Sequence, residues 1–269
     1  MRVLDLHHDP IPLGVSTTGE PVALTLAGHM LVGGATGAGK SVVLHNIVAG
    51  ICCGPGAELV VADAKAELAG LLAPVATMVA ADLDDAMCLL DHAAGVMTSR
   101  RGRPGPHRPL VVVVDELAAY TALDGITKTE RVMRERFRGL LCDLAARGRS
   151  ASVHVVAATQ KPSVDVVPSG FRDNCIQRIA LYCATRDASD TVLGAGSAAA
   201  GVDAARLPAD LPGSFIARGI GPRPISGRAY HLDAYALAGF VAHGATLRQP
   251  HHGDPHHHDP HRVALPAAR

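Results

Sequence analysis

The spacing of apolar positions along this chain switches repeatedly between a period of two and a period near 3.6. Residues 11–27, IPLGVSTTGEPVALTLA, set two short β-like runs on either side of the turn signal TTGE and predict a hairpin. HMLVGGATGAGKSVVLHNIVAGI then passes from a strand through a glycine-rich loop into a helix. ELVVAD at 58–63 predicts a short buried strand, AELAGLLA a helix and VATMVA a further strand. Helical spacing returns over 82–99, with an acidic first turn suited to the positive end of a helix dipole. LVVVVDE at 110–116 is a near-continuous β-branched run, the pattern of a central parallel strand buried on both faces. A charged amphipathic helix is predicted over 128–148, and SVHVVAA is the next strand. CIQRIALYC (175–183) predicts another strand and SDTVLGAG (189–196) a short helix ending in glycine. GSFIARG and SGRAYHL form a late β-pair, and a last helix runs from Asp233 to about His243. This alternation predicts an α/β fold with a mostly parallel central sheet flanked by helices, and ligands at the carboxyl ends of the strands.

Composition narrows the picture. The 269 residues suffice for one large α/β domain or two small ones. Hydrophobic residues make up 48%, which excludes a disordered body, and with aromatics at 3% the core must be aliphatic. A formal net charge of zero argues against a static, high-affinity nucleic-acid binder, but not against a motor that grips through a few loops. The six cysteines lack CxxC spacing and read as buried thiols of a reducing compartment. No basic-then-apolar leader opens the chain, and apolar stretches such as LLAPVATMVAA are too short to span a bilayer. The expected location is cytoplasmic, with any membrane recruitment supplied by a partner. RRGRPGPHRP (100–109) is a basic Pro/Gly loop, and the His-rich segment from 247 to 269 reads as a disordered tail, with transition-metal binding as the alternative.

Two stretches carry the chemistry. GATGAGKS (34–41) matches G-x-x-x-x-G-K-[ST] between a strand and a helix, the context of a phosphate-binding P-loop. In it Gly34, Ala35, Thr36, Gly37, Ala38 and Gly39 offer backbone amides to phosphates, Lys40 reaches the β/γ-phosphates, and the Ser41 hydroxyl can coordinate Mg²⁺. ATP and Mg²⁺ are therefore the expected cofactors. Asp115, ending the LVVVVD strand, is a second Mg²⁺ ligand candidate, and Glu116 is placed to orient and deprotonate a water attacking the γ-phosphate. A capping Asp-Glu pair is the plainer alternative. A small-molecule kinase would need an acceptor pocket and an Arg-rich lid, and RRGRPGPHRP fits a surface crossover better. The strand over 152–158 ends in a polar pair, Thr159 and Gln160, ahead of the Pro-bounded loop KPSVDVVPSG.

Together HMLVGGATGAGKSVVLHNIV, LVVVVDELA, GRSASVHVVAATQKPSVDVV and RIALYCATRDASDTVLGAG resemble the motor domain of the FtsK/SpoIIIE family, in the HerA–FtsK group of ring ATPases. VVADAKAEL resembles the family's Asp-x-Lys segment through Asp63 and Lys65, and PLGVSTTGEPV its lead-in. The resemblance implies a RecA-like P-loop NTPase over 29–246, with a β lead-in at 1–28 and the tail from 247. It also implies that Gln160 senses the γ-phosphate and that the loop behind it moves. A homo-oligomeric ring, a hexamer, would translocate double-stranded DNA in plasmid or mobile-element transfer or in segregation. Arg149 would then be the arginine finger acting on the next subunit, with Arg178 a second candidate, and Lys161 and Arg172 would contact phosphates in the channel. A transmembrane region, a long linker and a winged-helix DNA-reading module are not visible, which points to a stand-alone motor. Two alternatives stay open. One is a protein-moving ATPase of the type VII secretion kind. The other is a nucleotide-dependent assembly switch, against which the hydrolytic Glu116 argues.

Overall fold

The computed structural model describes residues 1–103 and 105–248. The strands are β1 (Ile11–Ser16), β2 (Pro21–Leu24), β3 (His29–Gly33), β4 (Glu58–Asp63), β5 (Met78–Ala80), β6 (Leu110–Asp115), β7 (Val153–Thr159), β8 (Cys175–Leu181), β9 (Ser214–Arg218) and β10 (Ile225–Ala229). The helices are α1 (Lys40–Cys52), α2 (Glu67–Leu72), α3 (Leu83–Arg100), α4 (Ala118–Thr121), α5 (Lys128–Arg147), α6 (Ser169–Arg172), α7 (Arg186–Leu193) and α8 (Ala234–Arg248).

All ten strands join one sheet in the order β2-β1-β10-β9-β8-β3-β7-β6-β4-β5. The half from β8 to β5 is parallel throughout. The half from β2 to β9 is antiparallel, and β9 joins the two halves by pairing antiparallel with β8. The expected hairpin is β1–β2, and it extends the sheet as its outer edge. The β6 run explains itself here: Val111 and Val113 pack into one core, and Leu110, Val112 and Val114 into the other. On the first face Leu44, Ile47 and Ile51 of α1 and Leu237 and Val241 of α8 close the core; on the second, Leu89 and Leu90 of α3 and Phe137, Leu141 and Leu144 of α5 do so.

Local signals set the helix boundaries. The Asp82 side chain caps α3, and Thr127 with Glu130 forms a reciprocal capping box on α5. The last helix runs to Arg248, beyond the expected stop near His243. Gly244 lies inside the helix, where a Cβ would come within 2.6 Å of the Cys52 carbonyl oxygen. The glycine serves close packing of α8 on α1 rather than termination. The segment read as a His-rich tail lies, from 249 on, outside the described residues.

Candidate functional site

Strand order decides what meets at the carboxyl ends of the sheet. β7 lies between β3, which feeds the glycine-rich loop, and β6, which ends in Asp115. Thr159 is in register with Gly33, so the Thr-Gln pair reaches the top of the sheet beside the start of that loop. The loop is fixed by its backbone: the Gly34 N–H donates to the Thr159 carbonyl (3.2 Å) and the Ala35 N–H to the Tyr182 carbonyl (2.7 Å). Gly39, at φ +97°, adopts a backbone conformation that L residues avoid, and a Cβ there would sit 2.3 Å from the Gly213 nitrogen. From it α1 starts, with its amino end directed at the loop.

Three charged side chains converge here. Lys40 is 5% exposed and pairs with Asp115, itself 8% exposed. Burial pulls the Lys40 pKa down to about 8, with Glu116 the largest opposing influence. Glu116 sits at φ +65°, a left-handed conformation that turns its side chain back toward the end of β7. There its carboxylate accepts the Thr159 hydroxyl at 3.0 Å and the Gln160 N–H at 3.2 Å. The Gln160 side chain reaches the other way and accepts the Thr36 hydroxyl at 3.0 Å. An unbroken hydrogen-bonded path thus runs from the glycine-rich loop through Gln160 to Glu116.

Two cavities flank this path. One, of about 420 Å³, is lined by Ser41, Asp115 and Glu67 among others. Its oxygen donors, a hydroxyl and carboxylates, suit a hard divalent cation such as Mg²⁺. The other, of about 350 Å³, is bounded by Ala35, Gln160, the 161–164 segment and the start of α7.

The remaining predicted residues are placed differently. Asp63 is fully buried and its carboxylate accepts the backbone N–H groups of Lys65, Leu68 and Ala69, so it holds the start of α2. Arg149 is exposed in a 3-10 turn ahead of β7. The seven residues of β7 separate it from Thr159 by about 20 Å, so it does not join the site of its own chain. Arg178 is half-buried, and its guanidinium donates to the carbonyls of Cys175 and Arg172. Lys161 is exposed, and Arg172 pairs with Asp173. Sequence reasoning gave no role to Thr159 or to the Thr36 side chain; the polar end of an otherwise apolar strand was the available signal. It also missed Thr121, whose buried hydroxyl donates to the Val166 carbonyl, and Arg138, which donates to the Asp165 carbonyl. These two tether the loop behind Gln160 to α4 and α5.

A glycine-rich loop between β3 and α1, facing acidic strand ends on a mostly parallel sheet, defines the class: a P-loop ATPase with a RecA-like fold. Residues 57–164 match the FtsK/SpoIIIE family. The DNA translocase FtsK of Halalkalibacterium halodurans is 29% identical over 222 residues, covering 70% of this chain and 27% of that protein. The chain therefore spans about a quarter of the length of such curated relatives. Among solved structures, the pCW3 conjugation coupling protein TcpA, in monomer form with ATPγS, superposes with a TM-score of 0.74 at 22% identity, over 93% of this chain and 74% of that one. The cytoplasmic domain of the Thermomonospora curvata type VII secretion ATPase EccC gives 0.66 at 20% identity, over 97% of this chain and 32% of that one. Among the described residues no helix is long and apolar enough to cross a membrane.

Proposed function

We propose that this chain is the ATP-hydrolysing motor segment of a DNA translocase, with residues 29–246 as the motor and 1–28 as its β lead-in. One observation carries the reading: the Thr36–Gln160–Glu116 path joins the phosphate-binding loop to the candidate water-activating carboxylate. The family match over 57–164 supports DNA as the moved substrate. Lys40 and the amides of residues 34–39 would bind the ATP phosphates, and Ser41 and Asp115 would hold Mg²⁺, which supplies charge neutralisation at the phosphates. Glu116 would take the proton of the attacking water. Gln160 would report the occupancy of the γ-phosphate position, and the 161–168 loop, tethered through Thr121 and Arg138, would pass that state on. Arg149, remote from the site of its own chain, would act on the neighbouring subunit of a homo-oligomeric ring.

The test is ATP turnover with and without duplex DNA at low salt. Stimulation by duplex supports the reading, and none sinks it. A protein-moving ATPase of the secretion kind is the second reading, favoured by the likeness to EccC over 97% of the chain and by zero net charge. It predicts stimulation by a secreted peptide instead. An assembly switch predicts that Glu116→Gln changes nothing measurable.

A further inference from the structure

The basic loop at 100–109 is absorbed by neither the site nor the path behind it. Its residues 101–103 leave the end of α3 and turn at Gly102 (φ +73°), beside the corner where α5 passes into the 3-10 turn before β7. Between them lies a cleft of about 330 Å³ whose lining includes Arg100, Arg101, Arg103, Arg147 and Ser150. It lies at the amino ends of β6 and β7, away from the phosphate-binding loop.

Part of this charge has a structural task. Arg100 donates to the Ala151 carbonyl at 3.0 Å and Arg108 to that of Gly56 at 2.8 Å. Arg100 and Arg147 occupy the last turns of α3 and α5, where a cation offsets the negative helix end, and Arg147 also pairs with Asp143. Once these are subtracted, Arg101 and Arg103 remain, both exposed and without an acidic partner among the described residues. In a chain of zero net charge such a local surplus is not a general background.

We infer that this cleft binds the phosphate backbone of duplex DNA, through Arg101 and Arg103 at its rim. Guanidinium forks match phosphate oxygens bidentately. Among the described residues the rim offers no large exposed apolar side chain to anchor a peptide. Contacts of this kind position a duplex without reading its sequence. The inference rests on the translocase reading and adds a second contact, distinct from Lys161 and Arg172.

The experiment titrates the full chain against fluorescent duplexes of two unrelated sequences, over about 50 to 200 mM salt. Arg101→Glu with Arg103→Glu is expected to weaken binding equally for both duplexes and to lower the log–log salt slope by about 2. Turnover without DNA and the melting temperature should stay unchanged, because both side chains are exposed. Arg101→Lys with Arg103→Lys should keep most of the slope. A double Glu variant that retains the wild-type slope overturns the cleft and leaves the translocase reading standing. A wild-type chain that binds no duplex overturns both. Binding of poly-glutamate in place of duplex, lost in the same variant, makes the cleft a protein-docking surface and overturns the inference.

Discussion

At the carboxyl ends of β3, β6 and β7 every buried charge has a partner. Lys40 meets Asp115, Glu116 meets Thr159 and Gln160, and nearby Asp63 caps α2. At the amino ends of the same strands the pattern reverses. His29 and His154 are buried with one ring nitrogen apiece unpartnered, while Arg101 and Arg103 stand in solvent. Buried charge costs several kcal/mol unless paired, so the end that keeps charges inside must network them. The other end buries two rings that can discharge at its strand starts, ties Arg100 and Arg248 to backbone carbonyls, and leaves Arg101 and Arg103 facing solvent. The first end is organised for chemistry, the second for packing at its centre and for contact at its rim.

The strongest way to break this comparison is to neutralise the networked end. Glu116→Gln keeps the shape and one acceptor but removes the base. ATP turnover should fall by about 10²- to 10⁴-fold with nucleotide affinity retained, read by steady-state hydrolysis and equilibrium binding. Turnover within a few-fold of wild type would remove Glu116 from the chemistry.

The next effect is acid sensitivity at the opposite end. Burial, the dominant cause, lowers the pKa of both His29 and His154 to about 4, and Arg149 and His29 respectively add to it. A lowered folded-state pKa means the fold favours the neutral ring. Its contribution is therefore whole above about 6.5 and is lost as pH falls from there toward 4, on the order of 2–3 kcal/mol for each ring. Urea midpoints should drop across that window, and His154→Leu should flatten the drop. An unchanged pH slope in that variant would show that the ring is not buried neutral.

Arg248 tests how the packing end is held. Its guanidinium donates to the carbonyls of Cys52 (2.8 Å), Gly54 (3.0 Å) and Ile51 (3.1 Å), closing the carboxyl end of α1 from the end of α8. Arg248→Ala should cost about 1–3 kcal/mol, a few degrees in Tm, with turnover per folded molecule unchanged. A loss of turnover without a loss of Tm would mean that α8 communicates with the P-loop.

How much of this was legible beforehand follows the same division. GATGAGKS and VVVVDE announce the networked end because phosphate binding needs glycine, lysine and strand-end carboxylates in a fixed order, and order is what a sequence displays. The parallel half of the sheet was legible for a related reason, since strands such as β6 are apolar on both faces. What sequence did not display were pairings set by tertiary register. Thr159 meets Glu116 only because β7 lies beside β6, and Arg248 meets the end of α1 across nearly two hundred residues of chain. The last helix runs past its expected stop near His243 because Gly244 packs against the end of α1, a contact that one dimension does not show.

The smallest effect sharpens the comparison most, because it concerns a neutral group serving a charged one. Thr159 is fully buried; its hydroxyl donates to Glu116 and accepts the Lys161 N–H at 3.0 Å. Thr159→Val preserves shape and deletes both bonds, leaving the Gln160 N–H as the sole donor to that carboxylate among the described residues. If Thr159 orients Glu116, kcat should fall about tenfold with KM unchanged, an effect of about 1.4 kcal/mol on the transition state alone. Thr159→Ser should restore the rate, since it returns the hydroxyl and not the methyl. A variant that loses stability but keeps kcat would confine Thr159 to packing, and Glu116 would then owe its position to its own left-handed backbone and to Gln160.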